Sequence, residues 1–556
     1  MSQLFRTLMV SLVVCLAVPP GARAAQSDPL HKEGRGKLSY ELDRIARESE
    51  RGGQVKSMSP AYNRTKGRVT VVIELNAGAS AEAIQSVIQA AGGRVDGVAA
   101  NLVKATLAPG RLRDIASQPD VRFVRAPYRP TVHKAGRLGA ATKSAAARRD
   151  GILSQGVNVM NADAYMARTG ATGGGITVGI LDAAYEGVLD LLGGEIPEDV
   201  SGTDYVLGHL DSAGVHGTAC AEIVHDVAPG AHLFLGSFED EVTWSNEIDQ
   251  LAGGGARIIS HSIGFDNLVP ADGNNFWSQK VDATAARGIL FVTAAGNEGQ
   301  NYYQGRWSDT NRDGFLEFIG PGGTTEMLQV FVGPGTSLRL RWDDPFGRSN
   351  HDYDIALVTE AFADNPEWSE SNPEVLAFSA DTQNGGGNPV EVIDFDYPDA
   401  ATAYIVVRHD PASPETTSQR LFFWSMQGID PAFANGSSSL SMPGDARGAV
   451  TVGAVAWDSR GLEGFSSRGP TADNRVKPDV VGPDRVTTVS FGDEFPGTSA
   501  ATPHVAGAAA LILSRNPSLS ASALRQALER ATTSGGSTAA KNNDVGFGLV
   551  DLTRAP

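Results

Sequence analysis

The chain has 556 residues, enough for about three or four domains, so a well-buried core is within its reach. It is acidic overall, net −18, but unevenly so: residues 25–150 hold 22 Lys and Arg against 12 Asp and Glu, whereas residues 151–556 hold 22 against 52. The acidic bulk argues against nucleic acid and anionic membranes as partners, and it predicts attraction between the basic N-terminal segment and the body of the protein.

Residues 1–24 read as an export signal, because Arg6 precedes the apolar run Leu8 to Val18 and Ala22-Arg23-Ala24 offers small residues for cleavage. That run is shorter than the roughly 20 residues a bilayer span needs, so no membrane anchor is expected after cleavage. The mature chain is expected to be secreted, either extracellular or periplasmic. Removal of the signal takes Cys15 and leaves Cys220 alone, so no intramolecular disulfide is expected.

A polar, charged stretch extends to about Gly67 with no predicted element. Beyond it, β-branched Val69 to Leu75 predicts a strand, Ala79 to Ala91 a helix, Val95 to Leu107 two strands turning around "DGVAAN", Arg111 to Ser117 a short helix and Val121 to Ala126 a last strand. These make a small α+β unit with its core in residues 67–127. A basic, small-residue linker follows at 128–152, of the kind proteases nick.

From about Leu153 the texture alternates. Apolar strands in "ITVGILD", "AHLFLGSF", "ARIISHSIGF" and "ILFVTAAGNEG" are separated by helices in "HGTACAEIVHDV" and "WSQKVDATAARG". This predicts an α/β fold, a parallel sheet with helices on both faces, whose active site lies beyond the carboxyl ends of the strands. Between 305 and 440 the rhythm breaks into short strands with Pro, Asn, Gly and Asp turns, which predicts an inserted antiparallel β-sandwich. "GAVTVGAVAWD" then resumes the buried-strand texture, so 153–304 and 441–556 are expected to form one domain around the insert.

Four groups fall where strands end or helices begin. Asp182 ends a strand, His216 opens a helix, Asn297 follows a strand and Ser499 opens the Ala-rich helix of "GTSAATPHVAGAAALILS". A serine hydroxyl is a poor nucleophile at neutral pH, so using it requires a base and a group that orients the base; His216 and Asp182 are the right types. An oxyanion needs donors already in place, and the Ser499 backbone N–H and the Asn297 amide could supply them. Pro503 lacks an N–H, which frees the carbonyl of Ser499.

"ITVGILD", "HGTACAEIVHDVAPGAHL", "ISHSIG", "FVTAAGNEG" and "FSSRGPT…KPDVVGPD…GTSAATPHVAG" resemble, in order, the signature blocks of the subtilisin-like serine proteases. Residues 67–127 resemble the inhibitory propeptides of that family. The resemblance implies a secreted serine endopeptidase, made as a precursor that cuts itself within about 127–153, with Asp182, His216 and Ser499 as catalytic residues and Asn297 at the oxyanion. It implies cleft walls of Ser262, Ile263 and Gly264, which pair with an extended substrate, and of Ala294, Ala295 and Gly296. Both walls are uncharged, which predicts a large apolar side chain before the cut bond. "Asp182-Ala183-Ala184" departs from the more usual Asp-Ser/Thr-Gly, so the resemblance does not say what holds the carboxylate.

The expected partners are polypeptide substrates and the protein's own propeptide in cis, and the protein is expected to be a monomer. No cofactor is required for the chemistry. Asp309, Asn311 and Asp313 precede Gly314 as oxygen ligands do in calcium loops, although the twelfth position is Gly320 rather than Glu; a turn without metal is the alternative reading. His225, His232, His261 and His504 read as structural, and Cys220 as a packing residue. A non-catalytic binding protein and a peptide ligase are the rival functions; labelling of Ser499 separates the first and product masses the second.

Overall fold

The computed structural model describes residues 36–52, 55, 59–131, 152–203, 206, 214–414 and 418–556. The export signal and residues 132–151 of the linker lie outside the described residues. Among those described, no helix is long and apolar enough to cross a membrane.

The first domain is an antiparallel sheet of β1 (Tyr62–Asn63), β2 (Arg68–Leu75), β3 (Arg94–Ala99), β4 (Leu102–Leu107) and β5 (Val121–Arg125), ordered β1-β2-β4-β3 with β5 also on β2. Helices α1 (Tyr40–Glu50), α2 (Ala81–Ala90) and α3 (Leu112–Ala116) belong to it. The core begins well before residue 67: Leu42 and Ile45 of α1 are fully buried with Val71 and Ile73 of β2. This helix hides in a charged stretch because its polar face carries Arg44 with Glu41 and Glu48, and Arg47 with Asp43, at three- and four-residue spacing. The β3–β4 turn falls on Ala100-Asn101, with Ala100 at φ 50°, so "DGVA" lies within β3 and outside the turn.

The second domain opens with α4 (Gln155–Val159), α5 (Ala162–Thr169), β6 (Thr177–Asp182) and β7 (Val200–Gly202). It continues through α6 (His216–Val227), β8 (His232–Ser237), α7 (Glu241–Gly253), β9 (Ile258–His261), α8 (Phe276–Ala286) and β10 (Leu290–Ala294).

The chain then leaves for an insert of β11 (Tyr302–Arg306), the hairpin β12 (Phe318–Gly320) and β13 (Gly323–Thr325), β14 (Leu328–Val332), β15 (Thr336–Trp342), β16 (Tyr353–Val358), β17 (Val375–Ser379), β18 (Val390–Phe395), β19 (Ala401–His409) and β20 (Arg420–Ser425). Two four-stranded antiparallel sheets, β11-β20-β15-β18 and β14-β19-β16-β17, enclose a core that includes Leu338, Trp342, Ile355 and Ile405. Tyr302 pairs with Trp424, so the insert's entrance and exit are neighbours.

After β21 (Ala449–Ala456), β22 (Val480–Asp484) and the ribbon β23 (Val486–Thr488) and β24 (Gly492–Phe495) come α9 (Thr498–Arg515) and α10 (Ala521–Arg530). The parallel sheet is ordered β22-β21-β10-β9-β6-β8-β7. Successive strand residues point to opposite faces, and the sequence uses this. Ile258 joins Ile180, Val292 and α9 in one core, whereas Ile259 joins Phe291 and the α7 residues Trp244 and Ile248 in another. Two apolar faces account for helices on both sides of the sheet.

Helix α9 is buried from Thr498 to Leu513. A Cβ at Gly507 would come within 2.7 Å of the Val227 Cβ, so the Ala- and Gly-rich composition lets α9 approach α6 closely.

Candidate active site

Asp182 ends β6, completely buried, and its Oδ1 accepts the Ala183 N–H at 2.8 Å. His216 is the first residue of α6, with Nδ1 2.9 Å from both Asp182 oxygens. The helix can descend this far because residue 217 is glycine; a Cβ there would meet the Ala184 carbonyl at 2.7 Å and Asp182 Cβ at 2.9 Å. The Gly217 N–H donates to that same carbonyl at 2.9 Å. Thus the backbones of Ala183 and Ala184 support the pair where the side chains of the more usual motif are missing. With Nδ1 committed to the carboxylate, Nε2 is the ring nitrogen left to meet another group. It is buried and has no hydrogen-bond partner, and the ring lies edge-on to Phe495, 5.4 Å between centroids.

Ser499 is the second residue of α9. Its hydroxyl donates to the Ser262 carbonyl at 3.0 Å, and its own carbonyl accepts the Ser262 hydroxyl at 3.0 Å and the Cys220 thiol at 3.7 Å. The acceptor that Pro503 leaves without a helical donor is therefore used. Cys220, one turn along α6 from His216, joins the His216 helix to the Ser499 turn; burial and then the Asp182 charge push its thiol well above the usual value.

Asn297 follows β10, and its Oδ1 accepts both the N–H and the hydroxyl of Thr498 at 3.0 Å. This turns the NH2 end toward Gly497, where a Cβ would lie 2.9 Å from Nδ2. Gly497 has φ 103°, a conformation that favours glycine, and its N–H donates to Asp484 at 3.0 Å. Behind Asn297, Glu298 accepts the Asn297 N–H at 3.2 Å and also the indole N–H of Trp424, from the insert.

Of the expected walls, Gly264 uses its carbonyl to accept the Thr131 N–H at 2.8 Å in an antiparallel bridge, so a chain leaving the first domain already runs along this edge. Ile263 is buried beside it. Ala295 is tied on both sides, its N–H to Val452 and its carbonyl to Ser441, each at 2.9 Å; Ala294 pairs within the sheet, and the Gly296 N–H reaches the Thr498 hydroxyl at 3.3 Å. The one bridge to a neighbouring chain segment among these wall residues is therefore on the Gly264 side.

Three of the four expected structural histidines are hydrogen-bonded, His232 to the Ser201 hydroxyl at 3.0 Å, whereas the buried Nδ1 of His225 has no partner. His261 takes the Trp244 indole and meets Thr293, both at 3.0 Å, and burial pulls it down to about 3. His504 bridges Ala500 and Ser154, both at 2.7 Å, and burial lowers it to about 4.

The candidate calcium loop is closed by its own bonds. Asp309 accepts from the Asp313 and Gly314 N–H groups, Asp313 accepts from Phe315, and Asn311 donates to Asp313. Among the described residues, the group of His, Cys, Asp and Glu donors close enough to share a metal is Asp182, His216 and Cys220.

Two acids at the start of α7 were not legible as functional. Asp240 caps the helix and pairs with Lys104 of the first domain, while Glu241 accepts from Arg125 and from the Tyr128 N–H, at 2.8 and 2.9 Å. Burial pushes Glu241 up to about 7 against the pull of Arg125. "EDEV" signals a helix cap, but the cations it meets are more than a hundred residues away.

Residues 173–330 and 380–548 match the protein family described as the subtilase family, Peptidase_S8. Subtilisin BL of Lederbergia lenta is 40% identical over 124 residues, 22% of this chain and 42% of that protein. Subtilisin Savinase of the same organism is 36% identical over 151 residues, 26% and 52% respectively. Serine protease AprX of Bacillus subtilis strain 168 is 33% identical over 120 residues, 17% and 27%. Among solved structures, the Clostridium perfringens CspB protease gives a TM-score of 0.48 at 18% identity, covering 71% of this chain and 97% of that one. The matches span about half or less of these curated relatives.

Proposed function

This chain belongs to the subtilase family, and from that premise we propose that it is a secreted serine endopeptidase, made as a precursor that processes itself. The observation that carries the reading is the buried Asp182–His216 pair, with Nε2 left unpartnered on a helix that touches the Ser499 turn.

The Ser499 hydroxyl turns from the Ser262 carbonyl to His216 Nε2, gives up its proton there and attacks the carbonyl carbon of an extended polypeptide. Asp182 holds the Nδ1–H and stabilises the imidazolium that forms. The oxyanion takes Asn297 Nδ2 and the Ser499 N–H at the positive end of α9. His216 then passes the proton to the leaving amine, and water repeats the sequence on the acyl-enzyme. No cofactor enters these steps. The uncharged walls favour a large apolar side chain before the cut bond.

Residues 36–131 act as the inhibitory propeptide in this reading. Thr131 is paired on Gly264, two residues from Ser262, whose carbonyl holds the Ser499 hydroxyl; cleavage is therefore expected soon after Thr131. The experiment expresses the precursor and its Ser499→Ala variant and follows size, casein cleavage and labelling by a fluorophosphonate. A wild-type chain that stays full length, unlabelled and inactive would end the proposal.

A further inference from the structure

The insert touches more than its host domain. Tyr40, the first residue of α1, is buried at the edge of the sandwich in a cluster with Val358, Phe362, Trp368 and Ala380. Its backbone N–H donates to Asp381 and its hydroxyl to Glu370. Arg47, two turns along the same helix, faces Glu370 at 3.7 Å, and Arg122 of β5 donates to Asn388 at 3.2 Å. Between these points the two surfaces part around a cavity of about 580 Å³ lined by Lys37, Arg44, Phe378 and Val392 among others. The contact is therefore concentrated on Tyr40 and its flanking charges, the arrangement in which single side chains carry most of an interface's energy.

Among the described residues, the first domain also meets the parallel-sheet domain in two places. One is the face where Val72, Ala99 and Leu102 meet Val242, flanked by Arg125–Glu241 and Lys104–Asp240; the other is the Thr131 bridge in the cleft. Both bind it to the parallel-sheet domain. The insert adds the Tyr40 contact, the Arg122–Asn388 bond and, just past β5, a bond from Arg339 to the Arg129 carbonyl at 3.4 Å.

We propose that the 302–425 sandwich is a receptor for the N-terminal domain, whose Tyr40 contact keeps that domain on the protein after the connecting chain is cut, so that release from the sandwich gates access to the cleft. The gating role rests on the reading of residues 36–131 as an inhibitory propeptide; the retention does not.

The test uses the full precursor carrying Ser499→Ala, with the recognition sequence of a site-specific protease inserted between residues 140 and 141. After that cut, dissociation of the N-terminal fragment is followed by size-exclusion chromatography and by its off-rate on an immobilised parent. Two further variants alter the contact from opposite sides: Tyr40→Ala empties the apolar site, and Glu370→Lys, at a partly exposed position on the sandwich, removes the hydroxyl's acceptor and opposes Arg47. Each is expected to release the fragment about tenfold faster or more. Release within about twofold of the parent in Glu370→Lys overturns the inference even if Tyr40→Ala is fast, because the latter alone would then reflect damage to α1. A wild-type protein without protease activity would sink the proposed function and leave this retention result standing.

Discussion

Ser499 and Ser262 are bonded reciprocally: each hydroxyl donates to the other's backbone carbonyl, both at 3.0 Å. The pair thus ties the mouth of α9 to the wall on which substrate would lie. Ser262→Ala removes one of the two bonds and leaves the Ser499 carbonyl with the distant Cys220 thiol alone. We expect a loss of about 1 kcal/mol in unfolding free energy with unchanged secondary structure, measured by denaturant titration. A variant as stable as wild type would show that the carbonyl needs no second donor.

Asn297 has its oxygen committed to Thr498, which leaves its NH2 group for the proposed oxyanion role. Asn297→Ala is expected to lower kcat about 100- to 1000-fold with little change in KM. Steady-state kinetics on a chromogenic peptide reads this directly, and an effect confined to KM would place Asn297 outside the transition state.

A buried charge network holds the starts of β21 and β22 together. Asp479 accepts Lys477 at 2.6 Å, Arg525 at 2.8 Å and Lys541 at 3.0 Å. Burial alone would raise the Asp479 carboxyl, but the three cations keep it well below the usual carboxylate range; burial lowers Lys477 to about 8. Asp479→Asn strands Lys477 beside a neutral amide and is expected to cost about 3–5 kcal/mol, seen as a lower midpoint in guanidinium.

Asp484 gives a pH dependence of the opposite kind. Burial pushes it up to about 7, and its Oδ1 has no hydrogen-bond partner. An unfolded aspartate titrates near 4, so the folded state binds the extra proton. The contribution of Asp484 is fully present below about pH 4 and is lost as the pH rises through about 7. Asp484→Asn keeps an acceptor for Gly497 and cannot ionise. Relative to wild type it should gain stability from pH 4 to pH 8, by up to about 4 kcal/mol; a difference that stays flat over that range would refute the assignment.

Calcium at Asp309, Asn311 and Asp313 remains a proposal. If the loop binds it, chelator lowers the melting temperature and Asp309→Ala abolishes that shift; an identical melting curve with chelator removes calcium from the description.

The strand texture and the blocks around Asp182, His216, Asn297 and Ser499 were legible because each depends on neighbours within a few residues. Helix α1 was not, since its apolar Leu42, Ile45 and Ala46 are spaced among charges that mask the pattern. Nothing near "DPLHKEGRGKLSYELDR" announces that Tyr40 will meet Glu370, because a contact spanning 330 residues leaves no local periodicity. The same holds for Lys104 with Asp240: the charge asymmetry foretold attraction, and only folding names the partners.

Trp424 and Glu298 give the insert a further meaning. The indole of one module clasps the carboxylate that steadies Asn297, so the sandwich reaches the proposed oxyanion site through a side chain. Excising it would take the indole donor from a carboxylate that is buried beside the residue proposed for the oxyanion. In a lineage of this chain, the appendage could not be shed without first rewriting position 298.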